Sequence, residues 1–343
     1  MNQQHTRPMT LALSLLFLSS CSETTTEPEA TAVPTETPQF AVGSNSWVTR
    51  ADMPSTTRDR LATAVVTNRG QSTLYAIGGA TSSGGSLGRV QAYNVATNTW
   101  KWRAELPIAV YNTNGAAEIN GKIYISGGVT RDKFFRRELY MFDPATNKWT
   151  RKRDMPEVTW GGLTAVLNGQ LYVLTCELED DCYIDFAPLS LYRYDPATDQ
   201  WTLLGNSPPQ TRRPMGGFMG RKLYFTGDNS PRSGEGGLFT AYDPATNTWT
   251  RKTPMPAPRF NGAGVTLGGK LYVIGGLQRN PDGSISQVRT TSVYNPNTDT
   301  WSNVKPMPDL RSGFSASLVF LDRKPRIEVV GGPRPGNNLQ YVP

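Results

Sequence analysis

Six tryptophans recur along this chain of 343 residues at a near-constant interval: Trp47, Trp100, Trp149, Trp201, Trp249 and Trp301, spaced by 53, 49, 52, 48 and 52 positions. A period of roughly 50 residues marks a chain that repeats one supersecondary unit and stacks the copies to bury a shared core. Seven residues before each of the last five tryptophans stands another aromatic: Tyr93, Phe142, Tyr194, Tyr242 and Tyr294. Between each pair runs a near-identical turn, such as DPATNKW from Asp143 or DPATNTW from Asp243. Proline presets φ at the first turn position, and Asn or Asp tolerates the left-handed conformation that follows, so each segment predicts a hairpin. Upstream lies a short segment read as alternating and ending in glycines, LYAIGG from Leu74, IYISGG from Ile123, LYVIGG from Leu271 and IEVVGG from Ile327, with the double glycine replaced in LYVLTC from Leu171 and LYFTGD from Leu223. One more strand precedes each, as in ATAVVT from Ala62.

Four strands per unit, with a double glycine, a Tyr and a Trp at fixed offsets, resemble the kelch repeat. The resemblance covers residues 46–343 and implies an all-β fold: a six-bladed β-propeller of four-stranded antiparallel blades around a central channel. The Tyr–Trp hairpin is complete only five times. The last unit stops at Tyr341-Val342-Pro343, and an orphan strand, Ser46-Trp47-Val48-Thr49-Arg50, opens the head. The N-terminal strand is therefore expected to close the ring as the outermost strand of the sixth blade, which protects a sheet edge. The repeated Tyr, Trp and Gly are read as structural.

The segment ahead of the repeats predicts export. Met9–Leu18 is an apolar run of signal-peptide length behind a polar start that carries Arg7. It ends in Leu18-Ser19-Ser20-Cys21, which resembles the lipobox of bacterial lipoproteins. That resemblance implies a signal peptide over residues 1–20, lipidation at Cys21 and anchorage in the cell envelope, at an outer membrane or the cell surface. Residues 21–45 are rich in Thr, Pro and Glu and are expected to form a disordered tether. Cys176 and Cys182 lie six positions apart, and an exported chain permits a disulfide between them.

The only histidine, His5, precedes the apolar run, so the mature head would hold none. This excludes Ser-His-Asp and Cys-His nucleophiles and histidine-ligated metals. Galactose oxidase resembles the fold, but its copper ligands include histidines that have no counterpart here. No cofactor and no metal is assigned; Asp180, Asp181 and Asp185 fit no calcium loop of EF-hand spacing. The first 45 residues carry −3 of the total +7, which leaves +10 on the head. Much of that follows the tryptophans, at Arg50, Lys101, Arg103, Arg151, Lys152, Arg153, Arg251 and Lys252. Those cations either deter edge-to-edge sheet pairing or meet an anionic surface. Nucleic acid is not an expected partner, since no recognition module is present.

Candidate site residues are those that break the repeat. At the start of the innermost strands stand Arg58, Tyr111, Thr159, Arg212 or Arg213, Arg259 and Arg311. The arginines are expected to ring one channel mouth, where guanidinium groups either bind an anion or hold neighbouring loop carbonyls. In kelch propellers that bind partners, the resemblance implies a ligand site on this face. Trp160, Asp228 and the acidic loop of Glu177 and Tyr183 complete an expected ligand-binding set of aromatic, Arg and carboxylate groups. Phe134 and Phe135 lie in a basic loop, RDKFFRREL from Arg131.

The reading is a lipid-anchored binding module for a protein partner, a glycan or a small anionic ligand. The alternative is an enzyme similar to bacterial N-acetylneuraminate epimerases. There Arg212, Arg213, Arg259 and Arg311 would hold the sugar carboxylate and Glu177 would move protons. For the cysteines, reduction is expected to add two hydrogens to the intact mass; an unchanged mass would mean two free thiols.

Overall fold

The computed structural model describes residues 45–54, 58–177, 188–208, 213–227, 237–332 and 338–343, and only the backbone of Cys176 and Glu177. Cys21, Cys182, Tyr183, Arg212 and Asp228 lie outside the described residues, and so does the segment read as signal and tether up to residue 44.

Six sheets of four antiparallel strands form the propeller. Blade one uses Ala62–Asn68, Gln71–Ile77, Val90–Asn94 and Thr99–Arg103, from the channel outwards. Blades two to five repeat this order, beginning at Ala116, Thr159, Met215 and Ala263. In blade six, Ser315–Leu321, Lys324–Val330 and Asn338–Val342 are followed by Ser46–Arg50 from the other end of the chain. The register runs from Ser46 opposite Val342 to Arg50 opposite Asn338. The expected closure by the N-terminal strand is thus present. A separate two-stranded ribbon pairs Arg58–Asp59 with Ala80–Thr81.

Blades pack face to face, so the second strand of each is covered on both sides. That is why its sequence is a continuous apolar run instead of an alternating one. Leu74, Ala76 and Ile77 in blade one, and Leu171, Val173 and Leu174 in blade three, are fully buried. The inner strands approach closely at the channel waist. A Cβ on Gly216 would fall 2.0 Å from the Tyr224 carbonyl oxygen, and one on Gly264 2.4 Å from the Gly216 nitrogen, so glycine is required at both.

The Trp period has a specific cause. Within each of the six blades the Trp ring packs on the hairpin Tyr or Phe, with centroids 4.5–5.2 Å apart. Two residues before each Trp an Asn or Asp adopts a left-handed conformation: Asn98, Asn147, Asp199, Asn247 and Asp299, with φ of 52–56°. In the four hairpins that carry a Tyr, its side-chain oxygen accepts a bond from the Tyr hydroxyl, at 2.6 Å for Tyr93–Asn98 and Tyr294–Asp299; in blade two the aromatic is Phe142 and the bond is absent. The same oxygen accepts a backbone N–H from the preceding blade, while the Trp Nε1 donates to the carbonyl of that very residue. Ala51 is gripped this way by Asn98 and Trp100, Ala104 by Asn147 and Trp149, Arg153 by Asp199 and Trp201, and Thr253 by Asp299 and Trp301.

The N-terminal strand reproduces the grip. Asn45, with φ 43°, accepts from the Tyr341 hydroxyl and the Lys305 N–H at 2.9 Å each, and Trp47 donates to the Lys305 carbonyl at 2.9 Å. Asn45, placed by sequence at the end of the tether, is therefore part of the ring.

Deleting residues 46–54 is expected to lower the melting temperature far more than Asn147→Ala. The point substitution loses one bridging oxygen, about 1 kcal/mol and a few degrees. Thermal melts followed by circular dichroism compare the two; equal small shifts would refute closure by this strand.

Candidate functional site

The chain enters each innermost strand through a sharp bend at the channel mouth. Six residues make the bend, one per blade: Arg60, Asn112, Gly161, Arg213, Asn261 and Gly313, all left-handed with φ between 48° and 65°. Neighbouring bends are joined around the mouth. The backbone N–H of Arg60 donates to the Gly313 carbonyl at 2.6 Å, Asn112 to Arg60 at 3.0 Å, Gly161 to Asn112 at 2.7 Å and Gly313 to Asn261 at 2.8 Å. A left-handed non-glycine residue costs roughly 1–2 kcal/mol, and these bonds hold Arg60, Asn112 and Asn261 there.

A cavity of about 280 Å³ opens at this mouth, with Arg60, Asn112, Arg213 and Asn261 in its wall. A second cavity of about 320 Å³ occupies the opposite end of the channel, and the two share Thr63, Ala116, Thr164, Gly216, Gly264 and Ala316 as lining. The waist is small and weakly polar. The Thr63 hydroxyl there is hydrogen-bonded to those of Ser315 and Ser317, at 2.7 and 2.8 Å.

Each mouth arginine rests on an aromatic ring. The Arg60 guanidinium lies 4.6 Å over Tyr111, and its Nε donates to Asp59 at 3.2 Å. Arg213 lies 5.5 Å over Trp160 and donates to the Asn261 side chain at 2.5 Å. Burial raises the Asp59 carboxyl above its usual range, against the pull of Arg60. Phe135 packs on Trp160 with centroids 6.2 Å apart, and its neighbour Phe134 is 66% exposed. Asn114 braces the wall: it donates to the Thr159 hydroxyl at 2.6 Å and accepts from Thr175 at 3.0 Å and from the Gly162 N–H at 3.2 Å.

Of the residues expected from sequence, Tyr111, Trp160 and Arg213 come together here. Arg58, Arg259 and Arg311 do not. They sit two positions before the bend, with side chains 1%, 1% and 6% exposed. Arg259 donates to the Val273 carbonyl at 2.7 Å, the Ser292 hydroxyl at 3.0 Å and the Ala257 carbonyl at 3.3 Å. Arg311 pairs with Asp309 at 2.6 Å and reaches the Gly331 carbonyl at 3.3 Å. Arg58 reaches the Arg89 carbonyl at 3.4 Å. Burial lowers Arg58 and Arg259 to about 10, with Arg89 adding to the effect on Arg58. These three join strands and loops within the blades, and they are not in the cavity wall. The candidates expected from sequence fall in two registers, and the bend residues Arg60, Asn112 and Asn261 are not among them. The signal was available: the spacing that places the tryptophans also places these residues. In the epimerase reading Arg259 and Arg311 were to hold a sugar carboxylate, and their burial leaves that grip unmade. The outer cations are partly paired, as in Arg151–Asp154 at 2.6 Å and Lys252–Asp299 at 3.1 Å.

Fold and mouth together define a six-bladed propeller with a polar-aromatic opening. The KLHDC2/KLHL20/DRC7 Kelch-repeats domain matches residues 28–228, and the Kelch motif matches residues 258–308. The chain belongs to the kelch-repeat family. Human Kelch-like protein 34 is 32% identical over 139 residues, 39% of this chain and 20% of that protein. Kelch-like protein 25 of Xenopus tropicalis is 30% identical over 166 residues, 45% of this chain and 26% of that protein. The chain thus spans less than a third of the length of these curated relatives. The solved structure of YjhT superposes with a TM-score of 0.63 at 16% identity, covering 85% of this chain and 95% of that one, and shares the fold.

The two kinds of arginine should separate on mutation. Arg259→Met is expected to destabilise by about 2–4 kcal/mol, because it strands buried acceptors. Arg60→Gln with Arg213→Gln should stay within about 1 kcal/mol. Urea unfolding reads both; equal losses would put Arg60 and Arg213 among the structural arginines.

Proposed function

We propose that the propeller is a binding module that docks a protein partner on the mouth face, seating an acidic side chain of that partner between Arg60 and Arg213. The observation that carries this reading is the size and rim of the mouth cavity. About 280 Å³ lies at the small end of the range for small-molecule sites, roughly 300–1,000 Å³, and suits one side chain. The remaining binding area would come from the surrounding loops, where exposed Phe134 offers an apolar anchor beside Arg131, Lys133 and Arg137. Arginines stacked on Tyr111 and Trp160 are partly preorganised, so fewer rotamers are lost on binding. A glycan or small anion at the same mouth is the second ligand class the chemistry admits.

The head would act outside the cytoplasm, tethered through Cys21 by residues 21–45, with Cys176 and Cys182 joined in the oxidising compartment. Cys21→Ser is expected to abolish incorporation of labelled fatty acid and to move the protein from the membrane to the soluble fraction. Unchanged labelling would remove the anchor.

The binding reading is tested by crosslinking the full chain in envelope extracts, with mass spectrometry of the captured proteins. Arg60→Gln/Arg213→Gln should reduce the enriched partner at least about tenfold, the size expected for two charge-assisted contacts. Undiminished capture by the double variant would locate the interface elsewhere.

A further inference from the structure

Five of the six second strands carry a tyrosine at one position: Tyr75, Tyr124, Tyr172, Tyr224 and Tyr272. Four of these rings pack against the hairpin aromatic of the next blade, with centroids 5.8–6.0 Å apart: Tyr75 on Phe142, Tyr124 on Tyr194, Tyr224 on Tyr294 and Tyr272 on Tyr341. In blade six the equivalent residue is Glu328, fully buried at the seam where the ring closes on blade one.

Groups from three strands face this carboxyl. Gln340, on the C-terminal strand, donates to its Oε2 at 2.9 Å, while its Oε1 has no partner among the described residues. Arg50 is the cation, and it stands on the N-terminal strand. Its guanidinium is already committed to blade one: Nε donates to the Tyr93 hydroxyl at 3.0 Å and Nη2 to the Val95 carbonyl at 2.5 Å. Tyr93, the third group, donates its own hydroxyl hydrogen bond to Asn98 Oδ1 at 2.6 Å. Burial pushes Glu328 up to about 7, against the pull of Gln340 and Arg50. Burial and the nearby Glu328 push Tyr93 up to about 12, against Arg50.

We propose that this seam is a pH-sensitive latch: Glu328 in its acid form keeps the strand Ser46–Arg50 locked into the ring, and its ionisation loosens that strand. A buried carboxylate must find a second donor or admit water. The cation whose charge reaches it is Arg50, and swinging that guanidinium towards Glu328 draws Nε and Nη2 away from Tyr93 and Val95. Those two bonds, beside the grip of Asn98 and Trp100 on Ala51, tie the N-terminal strand to blade one, so meeting the charge loosens the strand at its Arg50 end. The sign follows from linkage. A carboxyl whose folded pKa lies above its unfolded value contributes stability that is complete below about 4.5 and is lost as pH rises through about 7. The grip of Asn45 and Trp47 on Lys305 persists, so the effect is local loosening of a closed ring and not its dissolution.

Hydrogen exchange on the full chain, corrected for the intrinsic rate, tests this at about pH 5 and about pH 8. Amides of Ser46–Arg50 are expected to lose protection about tenfold or more at the higher pH, while the equivalent strand of blade two, Lys148–Arg151, keeps its protection. Glu328→Gln should remove the pH difference. Glu328→Tyr, which restores the residue of the other five blades, should do the same and serves if the glutamine variant does not fold. Equal protection of Ser46–Arg50 at both pH values in the wild-type chain would overturn the proposal, as would a pH difference that survives in either variant.

Discussion

The structure depends on one repeated polar grip between neighbouring blades. The half-buried repeat tryptophans present an N–H donor, and a tight turn leaves its Asn or Asp oxygen free to accept. Here both groups converge on the N–H and C=O of a single residue in the blade before, as at Ala51, Ala104 and Lys305. Apolar packing between blades is non-directional and would allow sliding. The grip is directional, and it sets both the spacing and the rotation of one blade against the next. The grip that closes the ring needs Asn45 and Trp47, so the N-terminal strand is part of the ring's mechanics and not an added edge.

The mouth follows from the same frame. Two tiers of residues precede each innermost strand, and they differ in what the backbone does with them. The buried tier at Arg58, Arg259 and Arg311 points into the blades and satisfies carbonyls of strands and loops. The bend two residues later is left-handed, which turns Arg60, Asn112, Arg213 and Asn261 to the cavity. Arginine therefore serves structure and presentation in one stretch of chain, separated by a single peptide turn.

Where the ring closes, the repeat changes its chemistry. Ring-on-ring contacts between blades are indifferent to pH; a buried carboxyl against a phenol and a guanidinium is not. Glu328 stands in place of tyrosine at the seam built from both chain ends, so a buried carboxyl lies where the N-terminal strand joins the ring.

Much of the architecture was legible in residue order. The Trp period, the turn signature and the missing last hairpin determined the blade number, the strand count and the identity of the closing strand, because each rests on local geometry repeated six times. Tyr111, Trp160 and Arg213 were legible as departures from that repeat. The division of arginines between core and mouth was not, since a shift of two residues across a left-handed bend reverses where a side chain points. Asn45 reads as tether along the chain because its partners, Tyr341 and Lys305, are brought to it only by closure. The same holds for Glu328, whose burial and whose cation come from opposite ends of the chain. Sequence determined what could be counted along one blade, and the tertiary structure alone decided what meets between blades.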